Sequence, residues 1–186
     1  MNYGLPTSVA VNGQEYPIRS DYRAILDIIE AITSEDYSDQ DRAMAVLGVF
    51  YVELPPHEEW EEAIKQAFSF ISMEQEQEQS KKKSPKLIDW SQDFPMIISA
   101  VNNAAGREVR ALDYCHWWTF MGYFDSISSE STFANVVSIR NKRGKGKKLE
   151  KWEQEYYSEN KRLVDISKPI NYTAEEQELL KSLRGE

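Results

Sequence analysis

The sequence predicts a mainly α-helical protein: six to eight helices behind a small N-terminal β-hairpin. Three observations carry this. Asn12-Gly13, in "SVAVNGQEYPI", is the strongest short signal for a two-residue hairpin turn. From Tyr22 to Leu163 apolar side chains recur every three or four residues. Ser, Thr or Asp stands at the start of most of these periodic stretches, where its oxygen can accept a free helix N–H.

The hairpin takes its strand-forming side chains from Val9, Val11, Tyr16 and Ile18. Two strands alone are marginal in water, so they must lie on an apolar surface. Ser20 or Asp21 caps a first helix with Tyr22, Ile25, Leu26, Ile29 and Ile32 at helical spacing. Asp39 opens a second, with Ala43, Val46, Leu47 and Phe50 on one face, and Pro55-Pro56 ends it. A third starts near His57. Its early Glu58, Glu59, Glu61 and Glu62 suit the positive end of the helix dipole, and Trp60, Ile64, Ala67, Phe68 and Ile71 form its stripe.

The polar stretch "MEQEQEQSKKKSPK" then interrupts the pattern and reads as a linker over 74–86. It separates an N-terminal part, 1–73, from a C-terminal helical part, 87–186, within one continuous unit. Beyond it, Asp89 or Ser91 opens a helix with Pro95 near its first turn, Phe94, Ile97, Ile98 and Val101 as its stripe, and Gly106 as its C-cap. Asp113 caps an aromatic helix, "CHWWTFMGYF". "STFANVVSIRNK" supplies another with Phe133, Val136, Val137 and Ile139. Leu149, Trp152, Tyr156 and Leu163 mark a further one, and Thr173 caps a short last helix in "TAEEQELLKSL".

Composition narrows the function classes. The 186 residues are 41% hydrophobic, enough for a core in one domain or two small ones. No run approaches the ~20 apolar residues of a membrane span. The first ten residues lack the basic and apolar regions of a signal peptide, so the chain is expected to stay in the cytoplasm where it is made. One cysteine, Cys115, excludes an internal disulfide, and two histidines leave too few ligands for an ordinary zinc site. No cofactor is implied. The net charge of −9 opposes bulk nucleic-acid binding. It is unevenly spread: residues 1–80 hold 16 acidic and 4 basic side chains, residues 81–186 hold 15 and 18. The halves can attract each other, another copy, or a basic partner.

Two stretches are candidate sites. On a helical wheel centred on Tyr114, Trp117, Trp118, Met121 and Phe124 share one arc, which Phe120 widens. This face is a core helix, or in part a docking surface, since Trp and Tyr concentrate at binding hot spots. The second stretch, "RNKRGKGKK", carries Arg140, Lys142, Arg143, Lys145, Lys147 and Lys148. It lacks Walker-loop spacing, and reads as a turn between helices, a patch for an acidic protein, or an RNA-binding loop. Acidic pairs at 35–36, 58–59, 61–62 and 175–176 read as solvated helix faces. No catalytic motif occurs, and no enzymatic activity is expected.

"LDYCHWWTFMGYFDSI" followed by "STFANVVSIRNKRGKGKKLEKWEQEYYSENKRLVDI" resembles the bacteriophage gene-product-fifteen family of tailed phages and prophages of Gram-positive bacteria. "VNGQEYPIRSDYRAILDI" and "FYVELPPHEEWEEAI" are similar to it as well. The resemblance implies a tail-assembly chaperone that holds the long helical tape-measure protein until tail-tube subunits polymerise around it. It implies no catalytic residues. The partners expected are the tape-measure protein, the tail-tube protein and further copies of the chain. A nucleic-acid-binding accessory protein using residues 140–148 and a permanent tail component are the alternatives.

Overall fold

A computed structural model describes residues 4–73 and 86–166. The expected helix at 173–183 and nearly all of the expected linker lie outside these residues. Among the described residues the chain forms a two-stranded hairpin followed by eight α-helices.

The hairpin pairs β1 (Ser8–Val11) with β2 (Gln14–Pro17), antiparallel, with Val11 opposite Gln14. Asn12 and Gly13 both have positive φ, 48° and 87°, as a type I′ turn requires. Val11 and Tyr16 point into the core, and the Tyr16 ring meets Tyr51 edge-on at 6.2 Å. The hairpin therefore covers the ends of later helices.

Helix α1 (Tyr22–Thr33) is capped by Asp21, whose carboxylate accepts the Arg23 N–H. Its core face is Tyr22, Ile25 and Ile28, while Leu26, Ile29 and Ile32 are half-buried. Helix α2 (Asp39–Phe50) starts from a capping box between Ser38 and Asp41, so the cap is Ser38 and the expected opener Asp39 is the first helical residue. It ends at Phe50, before Pro55-Pro56. The prolines are not the cause. Tyr51 bridges Ile18 as extended backbone, the Arg19 N–H donates to Phe50 O at 2.8 Å, and the Val52 N–H donates to Pro17 O at 3.0 Å. The continuation of the hairpin captures the chain and pulls it out of the helix.

A single 3-10 turn at His57–Glu59 precedes α3 (Trp60–Ile71). Ala63, Ala67 and Phe70 are its buried residues. Phe68, expected in the stripe, is 43% exposed. Helix α4 (Trp90–Ala105) is capped by Asp89 and closed by Gly106 at φ 65°. Pro95 falls in its second turn rather than its first.

The aromatic helix α5 (Trp117–Asp125) begins later than expected: His116 caps it, not Asp113. The reason is tertiary. Residues 115–117 are held beside the segment preceding α1, with Tyr22 N–H donating to Cys115 O at 2.9 Å and Trp117 N–H to Ser20 O at 2.7 Å. The Cys115 N–H also donates to Asp21 Oδ2. His116 Nδ1 accepts the Trp118 N–H and Nε2 donates to Pro6 O, so the ring is the neutral Nε2–H tautomer. Tyr114, the centre of the wheel drawn from sequence, is therefore not helical and is half exposed.

Helix α6 (Thr132–Gly144), capped by Ser131, packs on α4. The expected next helix is broken in two at Asn160: α7 (Lys151–Glu159) and the single turn α8 (Lys161–Val164). The main core draws on both sides of residues 74–85, from Val11 to Phe133. A smaller cluster of Val136, Ile139 and Val164 lies under α7 and α8.

In α7 the residue that turns inward is Glu153, 1% exposed, while Trp152 is 47% exposed. Lys142 Nζ donates to Glu153 Oε1 at 2.6 Å, and the Glu150 N–H donates to Oε2 at 2.8 Å. Burial acts to raise the Glu153 carboxyl, but these donors outweigh it and hold its pKa below the usual carboxylate value. A depressed folded-state pKa contributes stability above the unfolded value of about 4.3, lost as pH falls through the folded value. Replacing Glu153 with Gln should therefore flatten the fall in stability between about pH 5 and 3, read from denaturant midpoints across that range.

Candidate docking groove

The aromatic helix and the basic stretch 140–148 are mostly committed to holding the fold. Trp117 and Phe120 are buried, at 2% and 0% exposure. Trp118, Met121 and Phe124 are half-buried against the main core. The adjacent tryptophans do parallel work: Trp117 Nε1 donates to Ile71 O and Trp118 Nε1 to Phe70 O, each at 2.9 Å. These are carbonyls of the last turn of α3, where the helix supplies no i+4 donor; Phe70 O also accepts the Met73 N–H at 3.0 Å. Two large side chains thus supply both apolar bulk and a C-terminal cap for another helix.

The six basic residues do not form one patch. Arg140 is buried in the pair Arg140–Asp93, with contacts of 2.5 and 2.9 Å. Its remaining N–H groups donate to Leu87 O, Leu163 O and Val164 O. Lys142 binds Glu153. Arg143 pairs with Asp165, and its guanidinium lies 3.9 Å from the centre of the Tyr157 ring. Only Lys145, Lys147 and Lys148 stand exposed with no ion pair among the described residues.

An apolar concave feature lies elsewhere. An open groove of about 500 Å³ runs between α1 and the start of α4. Its floor is Tyr22, Leu26, Trp90 and Phe94; its rim carries Arg23, Asp27, Glu30, Ser91 and Arg110. The spacing is helical on both walls: 22, 26 and 30 form one row on α1, 90 and 94 one row on α4.

Helix α5 supports this floor from beneath. Tyr22 stacks on Phe120 with ring centres 4.5 Å apart and planes within 2°. Trp90 lies 5.2 Å from Phe124 and 6.3 Å from Trp117. The aromatic helix is the foundation of the groove, not its face.

Charge on the rim is uneven. Arg23 Nη1 contacts both oxygens of Asp21 at 3.1 Å, and Nη2 donates to Leu112 O at 2.7 Å. Arg110 is chelated by Glu108, at 2.8 Å from Nε and 3.0 Å from Nη2. The Arg110 side chain holds Glu108 down to about 2. Asp27 and Glu30, one turn apart, have no ion pair among the described residues. Burial raises the Asp27 carboxyl, and the charge of Glu30 raises it further.

Sequence reading named Tyr22, Leu26 and Phe94 as core-facing and passed over Trp90, Asp27 and Glu30. The available signal was the width of the α1 stripe: Leu26 and Ile29 extend it beyond the arc that Tyr22, Ile25 and Ile28 bury.

The profile of the family described as "Bacteriophage Gp15 protein" matches residues 1–166. The chain belongs to this bacteriophage family. The match to Gp15 proteins includes every residue of the groove and of the α5 foundation. No curated protein and no solved structure matches the chain. Among the described residues, no helix of this Gp15-family chain is long and apolar enough to cross a membrane.

Proposed function

We propose that this phage protein is a non-enzymatic tail-assembly chaperone that holds a helical stretch of the tape-measure protein in the host cytoplasm. The observation that supports it is the groove between α1 and α4, floored by Tyr22, Leu26, Trp90 and Phe94 and rimmed by charge. An amphipathic helix lays its apolar face into such a groove, reading anchors at one-turn spacing. Many copies along one long client give avidity without a tight individual site.

The test is co-expression with tape-measure fragments. The native chain should keep the fragment soluble and co-purify with it. Leu26→Asp places a carboxylate on the half-buried floor and should reduce recovered fragment at least tenfold. Ser91→Trp fills the groove from an exposed rim position and should do the same with the fold undisturbed. Unchanged recovery with both variants would remove the groove from the interaction.

A second reading, nucleic-acid binding through the 140–148 loop, is favoured by the exposure of Lys145, Lys147 and Lys148. It is weakened by the commitment of Arg140, Lys142 and Arg143 to ion pairs within the chain. Salt-sensitive binding to DNA or RNA that charge-neutral replacement of the three lysines abolishes would favour it.

A further inference from the structure

The groove carries an unbalanced negative field. Arg23 and Arg110 are neutralised by Asp21 and Glu108, whereas Asp27 and Glu30 have no counter-charge among the described residues. Glu30 lies in the last turn of α1, which holds no basic residue, and Asp27 sits one turn before it. The negative end of that helix dipole therefore adds to the charge of Glu30. On the opposite wall, Pro95 has no N–H, so the Ser91 carbonyl, at the rim, lacks its intrahelical donor.

We propose that the groove selects a helix whose apolar stripe is flanked by lysine or arginine, with the cations seated against Asp27 and Glu30. This rests on the reading of the groove as a helix-docking surface and adds which helices it takes. The apolar floor supplies the attraction common to all amphipathic helices. The carboxylates decide among them, because an acidic flank meets like charge at the same positions. A cation beside Asp27 offsets both the partial burial that raises its carboxyl and its repulsion from Glu30.

Two synthetic helical peptides with identical leucine spacing, one flanked by lysine and one by glutamate, test this against the full chain by titration calorimetry. The lysine peptide should bind at least tenfold more tightly at low ionic strength. The ratio should shrink toward one as salt shortens the screening length to about 3 Å at 1 M. The double variant Asp27→Asn/Glu30→Gln should lose the preference while keeping affinity for both peptides, which shows that the fold and the apolar floor are intact. Equal binding of both peptides by the native chain would overturn the selection while leaving helix docking in place. Binding of neither would overturn both. Self-association that Leu26→Asp abolishes, without peptide binding, would assign the groove to a second copy of the chain and overturn the proposal.

Discussion

Replacing Arg140 with Ala should cost about 3–5 kcal/mol of stability, the range for removing one partner of a buried ion pair. Arg140 is 6% exposed and Asp93 is 0% exposed, so water cannot replace the lost guanidinium. Asp93 would retain only the Asp89 N–H as a partner for a buried charge. The carbonyls of Leu87, Leu163 and Val164 would lose their donor as well. Leu87 precedes α4 and the adjacent Leu163 and Val164 end α8, so one side chain ties the entry to α4 and the end of α8 onto α6. Chemical denaturation should show the midpoint falling, and amide exchange should speed up most at residues 161–166. The pair is a specification of this arrangement more than a net source of stability. A joint Asp93→Leu/Arg140→Met replacement should therefore be far milder than either single change. If Arg140→Ala left the midpoint unchanged, the buried pair would not be holding the C-terminal helices.

Trp117→Ala should cost a similar amount, about 3–5 kcal/mol, the range for emptying a buried aromatic site. Trp117 packs on Phe120 with ring centres 5.9 Å apart and on Trp90, and it is 2% exposed. Trp117→Phe separates the two contributions. It keeps most of the ring but leaves Ile71 O without its donor, and should cost about 1–3 kcal/mol. The half-buried Trp118 should be more tolerant of the same change. Because Trp117 supports Trp90, the alanine variant should also weaken peptide binding in the groove, although Trp117 does not line it. Denaturant midpoints for the three variants, with peptide titration of each, check the ranking; a larger loss for Trp118→Phe than for Trp117→Phe would contradict it.

Much of the local structure was legible in order. Asn12-Gly13 specified the turn because both residues tolerate positive φ. Ser20 or Asp21, and Asp89 or Ser91, marked two helix starts; the caps are Asp21 and Asp89, because a short side-chain oxygen there reaches a free N–H in the next turn. What was misread involved partners distant in sequence. Helix α2 stops at Phe50 because Pro17 and Arg19 bond its end, and no residue near position 50 encodes that. Helix α5 starts at Trp117 because Ser20, Asp21 and Tyr22 hold residues 115–116 extended. Arg140 looked like part of a basic loop because its acidic partner, Asp93, is 47 residues away.

The site divides the same way. Periodicity identified Tyr22, Leu26 and Phe94 as apolar-face residues, since spacing alone decides which side chains share a side of a helix. Whether that side is covered depends on what else packs there, and α4 covers α1 only in part. Sequence by itself therefore determined the helices, the hairpin and the family. Only tertiary structure decided that the aromatic helix is a foundation, that three of the six basic residues in 140–148 pair with acids of the same chain, and that an open apolar surface lies between α1 and α4. The physical reason is that caps and periodicity act within a few residues, whereas burial and charge pairing are settled by segments that meet only after folding.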